Sequence, residues 1–142
     1  MQTEPIVMER IYNAPINTVW NAISNKEEMK KWYFDLAEFK PEPGFEFSFL
    51  AGEKDKEYLH LCRITEVIPG KKLSYTWRYD GYEGDSEVSF ELFAEGDTTK
   101  LILTHIGLET FPSQKDPAFK KENFVAGWTH ILNTSLKDFL EH

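Results

Sequence analysis

Hydrophobic and polar positions change their period twice along the chain. Ile6 to Asn13 is rich in β-branched and aromatic residues and stops at Ala14-Pro15, which predicts a strand. Asn13 or Ala14 is placed to cap a short helix with Pro15 in its first turn, in which Ile16, Val19, Trp20 and Ile23 form one apolar stripe. Ser24-Asn25 break it, and Lys26 to Tyr33 predict a second short helix with Met29, Trp32 and Tyr33 inward. From Phe34 to Leu108 the period is two. Phe45, Phe47 and Phe49 follow the turn at Pro43-Gly44; Tyr58, His60, Cys62 and Ile64 share a face; Leu73, Tyr75, Trp77 and Tyr79 follow the turn at Pro69-Gly70. Val88, Phe90 and Leu92, then Leu101, Leu103 and His105, repeat the alternation around turns at Gly81 to Gly84 and Gly96-Asp97. Strands joined by short turns predict an antiparallel meander with one face covered and the other in water.

The period then returns to helical. Phe111 to Pro117 reads as a loop, and Phe124, Trp128, Ile131, Ser135 and Phe139, with Leu132 and Leu136 beside them, predict a helix of roughly twenty residues, about 30 Å long. A long terminal helix is the natural cover for a curved sheet. No internal repeat, low-complexity tract or linker is visible, and the length of 142 residues suits a single domain, 1–142. Leu140-Glu141-His142 has the look of the start of a histidine-tag scar, so Glu141 and His142 are given little weight.

The order of strand, two short helices, about six or seven strands and a long helix is similar to the α+β helix-grip fold of the START-like (SRPBCC) superfamily. "YNAPINTVWNAI", "MKKWYFD", "PGFEFSF", "ITEVIPGKKLSYTW", "VSFEL", "TTKLILTHIGLE" and "GWTHILNTSLKDFL" resemble, in this order, the family named for the activator of the heat-shock chaperone ATPase. The resemblance covers Ile6 to Leu140. It implies a hydrophobic cavity between the concave sheet and the long helix, in which superfamily members bind lipids, sterols, polyketides or plant hormones; a few catalyse cyclisation or hydrolysis. The family name adds a possible role in the stress response, but nothing here corresponds to the N-terminal domain through which the eukaryotic co-chaperone makes much of its chaperone contact. Family members commonly carry paired glycines where Pro43-Gly44 stands, and a glycine where Cys62 stands; the larger side chain would narrow the cavity or alter a bulge.

Composition narrows the partners. The net charge is −8, from 24 acidic and 16 basic residues, which disfavours nucleic acid and anionic membrane surfaces. Aromatic residues make up 15% of the chain, enough to give a bulky, rigid interior. One cysteine excludes an intrachain disulfide. No signal-type segment precedes an apolar run, and no apolar run approaches about 18 residues, so a cytoplasmic location is expected.

Candidate chemistry is sparse. Trp32, Trp77, Phe90, His105, Phe124 and Trp128 are the expected ligand-binding set, with the indole N–H groups offering polar contacts; the competing reading is that these rings simply fill the core. His105, in phase with Leu101 and Leu103, points inward, as a cavity base or as a buried histidine bonded to a neighbouring hydroxyl or backbone group. His130 is expected in solvent. His60 and Cys62 are half of a metal site with no second pair, so no metal and no cofactor is expected. Asp80 to Asp85 does not fit a calcium loop and reads as a solvated turn. Arg10 and Arg63 could point into a cavity or pair with glutamates. The first expectation is therefore binding of a small hydrophobic or amphipathic ligand without catalysis. The alternatives are a chaperone-associated interaction module, acting through acidic surface near Glu53 to Glu57 and Asp80 to Asp85, and a cyclase- or hydrolase-type enzyme using His105.

Overall fold

The computed structural model describes residues 5–33, 36, 38–53, 56–112 and 119–141. Strand β1 (Ile6–Tyr12) leads into helices α1 (Ile16–Ser24) and α2 (Lys26–Trp32), followed by β2 (Glu46–Glu53), β3 (Lys56–Ile68), β4 (Lys72–Tyr79), β5 (Ser86–Glu95) and β6 (Thr98–Ile106). A 3₁₀ turn spans Leu108–Thr110, and the chain ends in α3 (Lys121–His130), a π-helical turn (Ile131–Ser135) and α4 (Leu136–Leu140), continuous in sequence over 20 residues. Pro15 occupies the N-cap of α1 rather than its first turn, and the Asn25 side chain caps α2 by accepting from the Glu28 N–H. Residues 34, 35 and 37, Lys54 and Asp55 of the expected acidic surface, and residues 113–117 of the expected loop lie outside the described residues.

The six strands form one curved antiparallel sheet in the order β1-β6-β5-β4-β3-β2. The register sets which side chains turn inward: Ile6 pairs with His105, Val88 with His105, and Phe90 with Leu103. Ile6, Met8, Tyr12, Phe47, Phe49, Cys62, Ile64, Leu73, Tyr75, Trp77, Val88, Phe90, Leu101, Leu103 and His105 are all buried on the concave side. The alternation is interrupted between Ile64 and Glu66, where the register with β4 shifts, three residues beyond Cys62.

Two glycines fasten the sheet's end to the chain that follows it. A Cβ on Gly84 would stand 2.6 Å from the Thr110 carbonyl oxygen, and one on Gly107 would stand 2.8 Å from that of Asp85. Both have positive φ, so glycine is required twice over. The close approach lets the Thr110 hydroxyl accept from the Asp85 N–H at 2.8 Å.

The C-terminal helix corrects the expected stripe. Its buried residues are Phe124, Trp128, Leu132, Leu136 and Leu140, whereas Ile131, Ser135 and Phe139 are only half-buried. A set spaced by four drifts about 40° per step around an α-helix, or about 160° from Phe124 to Leu140. The π turn, with Leu136 donating to the Ile131 carbonyl, is a wider turn that takes up this drift and keeps the five side chains on the core side.

Candidate functional site

The concave interior holds most of the molecule's rings. Trp77 contacts Trp128 with centroids 5.5 Å apart, Phe90 lies 5.9 Å from Trp128, and His105 lies 5.5 Å from Phe124 and 6.0 Å from Trp128. Trp32 meets this group through Tyr33, at 5.0 Å, and Tyr33 stacks toward Trp128 at 6.4 Å. All six expected residues are therefore buried, and Tyr33 connects Trp32 to the rest. They come from α2, β4, β5, β6 and α3, which only the curvature of the sheet can bring together.

His105, fully buried, is held by a directed chain of hydrogen bonds. The Trp128 indole N–H donates to His105 Nδ1 at 3.0 Å. That lone pair being used, the proton of the neutral ring sits on Nε2 and is donated to Ser86 Oγ at 2.8 Å, while the Ser86 hydroxyl donates to the Trp77 carbonyl at 2.7 Å. The order of donors matters. A serine–histidine pair able to activate its hydroxyl needs a free imidazole lone pair facing Oγ; here an N–H faces it. Desolvation lowers the His105 pKa to about 3, so the ring is neutral and committed at both nitrogens. The geometry matches a satisfied buried histidine, and Ser86, which sequence reasoning did not single out, is its partner.

The indole N–H groups do not face open space. Trp32 donates to the Ala22 carbonyl at 2.8 Å and Trp77 to the Tyr79 hydroxyl at 2.8 Å, so with Trp128 all three are spent on protein acceptors. The interior's other polar groups are hydroxyls, a thiol and His60. Tyr33 Oη and Tyr75 Oη lie 2.7 Å apart, joined across the gap between the end of α2 and the middle of β4. Burial is the main reason the pKa values of Tyr33, Tyr75, Tyr79 and Cys62 are all raised. His60 Nδ1 lies 2.9 Å from the Tyr58 carbonyl, the ring stacks on Phe49 at 4.5 Å, and desolvation lowers its pKa to about 4. Among the described residues no Lys, Arg, Asp or Glu is buried, and no three His, Cys, Asp or Glu side chains come together as metal ligands would.

A second aromatic group, also missed in the sequence, closes the end of the interior nearest the 3₁₀ turn. Phe119 touches Tyr79 at 4.8 Å, Tyr82 at 4.9 Å, Tyr58 at 5.5 Å and Phe111 at 5.7 Å. Tyr58 and Tyr79 belong to the alternation of β3 and β4, whereas Tyr82, Phe111 and Phe119 sit beside turns and loops, where no periodicity marks them.

Other candidates fall elsewhere. Arg63 is exposed on the outer face, its N–H donating to Thr76, and half-buried Arg10 bonds Asn133 and the Glu9 carbonyl. His130, Asp80 and Asp85 are exposed. Two clefts of about 490 and 540 Å³ open on the outer face, sharing Thr76 and Asp85, and none of the six expected residues lines either. Among the described residues no helix is long and apolar enough to cross a membrane.

Comparison with known proteins gives this geometry a setting. The sequence profile of the family described as Activator of Hsp90 ATPase homolog 1-like protein matches residues 13–141. The solution structure of BH1534 from Bacillus halodurans is similar over 98% of each chain, at 27% identity and a TM-score of 0.75. Mll3558 from Rhizobium loti superposes over 96% of each chain with a TM-score of 0.82 at 20% identity. CV1439 from Chromobacterium violaceum covers 97% of each chain with a TM-score of 0.79 at 24% identity. The last two likenesses concern the fold alone. No curated protein matches the sequence.

Proposed function

Since the chain belongs to the family of Activator of Hsp90 ATPase homolog 1-like proteins, and its interior is aromatic and uncharged, we propose that it binds a small hydrophobic or amphipathic molecule, lipids included, between the concave sheet and α3. No catalytic step is assigned, because both nitrogens of His105 are already engaged. The observation that carries this reading is the way α3 meets the sheet. Only Phe124 and Trp128 of α3 are buried, and their rings make its contacts with Trp77, Phe90 and His105. Rings that serve as spacers can turn aside for a guest of similar shape. Trp32, Trp77, Phe90, His105, Phe124 and Trp128 would then make its apolar contacts. At about 25 cal/mol per Å² of apolar surface, burying a guest the size of a few rings supplies several kcal/mol.

A thermal-melt and tryptophan-fluorescence screen against pooled lipids and aromatic metabolites tests it. A ligand at roughly a hundred times its Kd adds about 2.7 kcal/mol of stability, which raises Tm by several degrees. No shift and no fluorescence change for any pool would overturn the reading.

One observation favours a second reading, a partner-binding module. The outer face of β1, β5 and β6 leaves Val7, Ile11, Phe93 and Ile106 exposed, at 60%, 59%, 43% and 44%. The family's name makes Hsp90 the first partner to try. Stimulation of purified Hsp90 ATPase that is lost in Val7→Asp and Ile11→Asp would support this reading, and unchanged ATPase would remove it.

A further inference from the structure

We propose that the outer face of the sheet docks an extended segment of a partner protein, one that carries an acidic and a basic side chain about 10 Å apart. The segment lies in a trench that runs from Arg63 and Arg78 to Asp85, Glu87 and Glu109. None of the six interior residues lines this trench, so the proposal does not depend on the interior taking a guest.

Register builds the trench. The two outer clefts share Thr76 and Asp85 and so adjoin across the strands. Glu46 pairs with Arg63, Thr76 with Glu87 and Glu87 with Ile106, while the Arg63 N–H donates to the Thr76 hydroxyl at 3.0 Å. These residues stand in one row from β2 to β6, and Arg78, opposite Leu61, stands in the row beside it. Neighbouring strands lie about 4.8 Å apart, which sets the backbones of Arg63 and Glu87 roughly 10 Å from each other. The acidic end is fixed beforehand. The Asp85 N–H donates to the Thr110 hydroxyl at 2.8 Å, and the Glu87 carboxylate accepts from the Thr65 hydroxyl at 2.6 Å. A surface ordered in advance loses little freedom when a partner docks.

Charge selects the occupant. The chain has three arginines against a net charge of −8, and two of them line the same cleft. Arg10, the third, is bonded to Asn133 and the Glu9 carbonyl. Among the described residues neither Arg63 nor Arg78 has an ion-pair partner. Their planar guanidinium forks suit a carboxylate. On both sides the field has the opposite sign: Glu46 flanks Arg63 on β2, and Asp85, Glu87 and Glu109 follow toward the 3₁₀ turn. A polyanion would therefore run into carboxylates, and a polycation into two guanidiniums. A segment with one charge of each sign satisfies both ends. Leu61, half-buried, and Ile106, exposed, give its frame apolar contact. Each cleft alone, at about 490 and 540 Å³, has the size of a small-molecule pocket, and together they make room for several residues of peptide.

The test uses the purified protein and labelled peptides of about nine residues on a serine–threonine frame, acetylated and amidated so that their ends carry no charge, with binding read by fluorescence anisotropy. The mixed peptides place Glu and Lys two or four residues apart, on one face of an extended chain at about 7 or 13 Å. Glu/Glu, Lys/Lys and Gln/Gln peptides on the same frame are the controls. The mixed peptides should bind about fivefold or more tighter than any control, and should weaken as salt rises. The double substitution Arg63→Glu and Arg78→Glu alters two exposed side chains and should leave Tm nearly unchanged. It should weaken the mixed peptides about tenfold and make Lys/Lys the preferred peptide. A control that binds as tightly as the mixed peptides, a double variant with unaltered preference, or no binding by any peptide would each overturn the proposal. Binding to phosphatidylcholine vesicles that the double variant abolishes would overturn it too, by giving the trench to a zwitterionic head group. None of these outcomes touches the interior site, which the lipid and metabolite screen tests separately.

Discussion

The two ends of the C-terminal helix are fixed by different means. At the α4 end, Leu132 and Leu136 are fully buried and α4 packs on α1 and α2. Polar ties add to this: Tyr12 donates to the Leu132 carbonyl at 2.8 Å, and Glu141 accepts from the Asn13 N–H at 3.0 Å. At the α3 end only Phe124 and Trp128 of 10 residues are buried, Val125, Ala126 and Gly127 face solvent, and the Trp128 indole reaches the sheet by its bond to His105. Compact aliphatic packing makes one end an anchor. With only two long rings carrying its burial, the other end is the place where structure can yield at the lowest cost, and binding regions are drawn from such low-stability elements.

The largest test of that contrast is truncation. Leu136→Ala should destabilise the protein by about 3 kcal/mol, since a fully buried leucine leaves both lost transfer energy and a cavity. Phe124→Leu, at the yielding end, should cost less than half as much. Urea denaturation of both variants checks the ranking. Equal losses would mean that the helix is a uniform clamp.

Acid is the next probe. The pKa values of His60 and His105 are lowered in the fold, from 6.5 to about 4 and about 3. The unfolded chain therefore takes up protons first; the contribution to stability is complete above about pH 6.5 and is lost as pH falls toward those values. By pH 5 each histidine should remove about 2 kcal/mol. Denaturation midpoints between pH 7 and pH 5 measure the sum, and His105→Gln should remove roughly half of the slope. A slope untouched by that substitution would detach His105 from the helix-to-sheet tie.

Much of this molecule was legible before any coordinates. The alternation from Phe45 to His105 could be read because one face of every strand is covered, so most inward residues are apolar and most of their neighbours polar. The helix was harder. A 3.6-residue period assigns Ile131, Ser135 and Phe139 to the stripe, yet the four-residue spacing of Phe124, Trp128, Leu132, Leu136 and Leu140 was present in the letters as the mark of a wider turn. The site was hardest, because side-chain direction depends on partners far along the chain. Nothing local says that Trp128 meets His105, 23 residues away, or that Tyr33 reaches Tyr75, 42 residues away. The expectation of available indole donors failed for that reason.

Trp128→Phe isolates the indole–imidazole tie at the yielding end. It keeps a ring but removes the donor to His105 Nδ1, leaving a buried acceptor unpaired at about 1–1.5 kcal/mol. Its diagnostic readout is the imidazole itself. Nitrogen NMR of the unaltered protein should report the proton on Nε2, and the variant, free of the indole, should populate the other tautomer or raise the histidine pKa. An unchanged ring would mean that the Ser86 contact alone sets it.

The smallest effect goes the other way. Gly127 sits inside α3, exposed, and a Cβ built there meets nothing within 4 Å. Glycine in a helix interior costs about 0.5–1 kcal/mol relative to alanine, chiefly because the unfolded chain has more freedom to lose. Gly127→Ala should therefore raise stability by about that amount, or Tm by about 2–4 °C, visible in a thermal melt. If α3 must loosen from the sheet before a guest can enter, the same substitution stiffens the element that has to move, and ligand association should slow while stability rises. A variant that is more stable and takes up ligand at an unchanged rate would place the entry route elsewhere, and the contrast between the two ends would then describe packing without describing access.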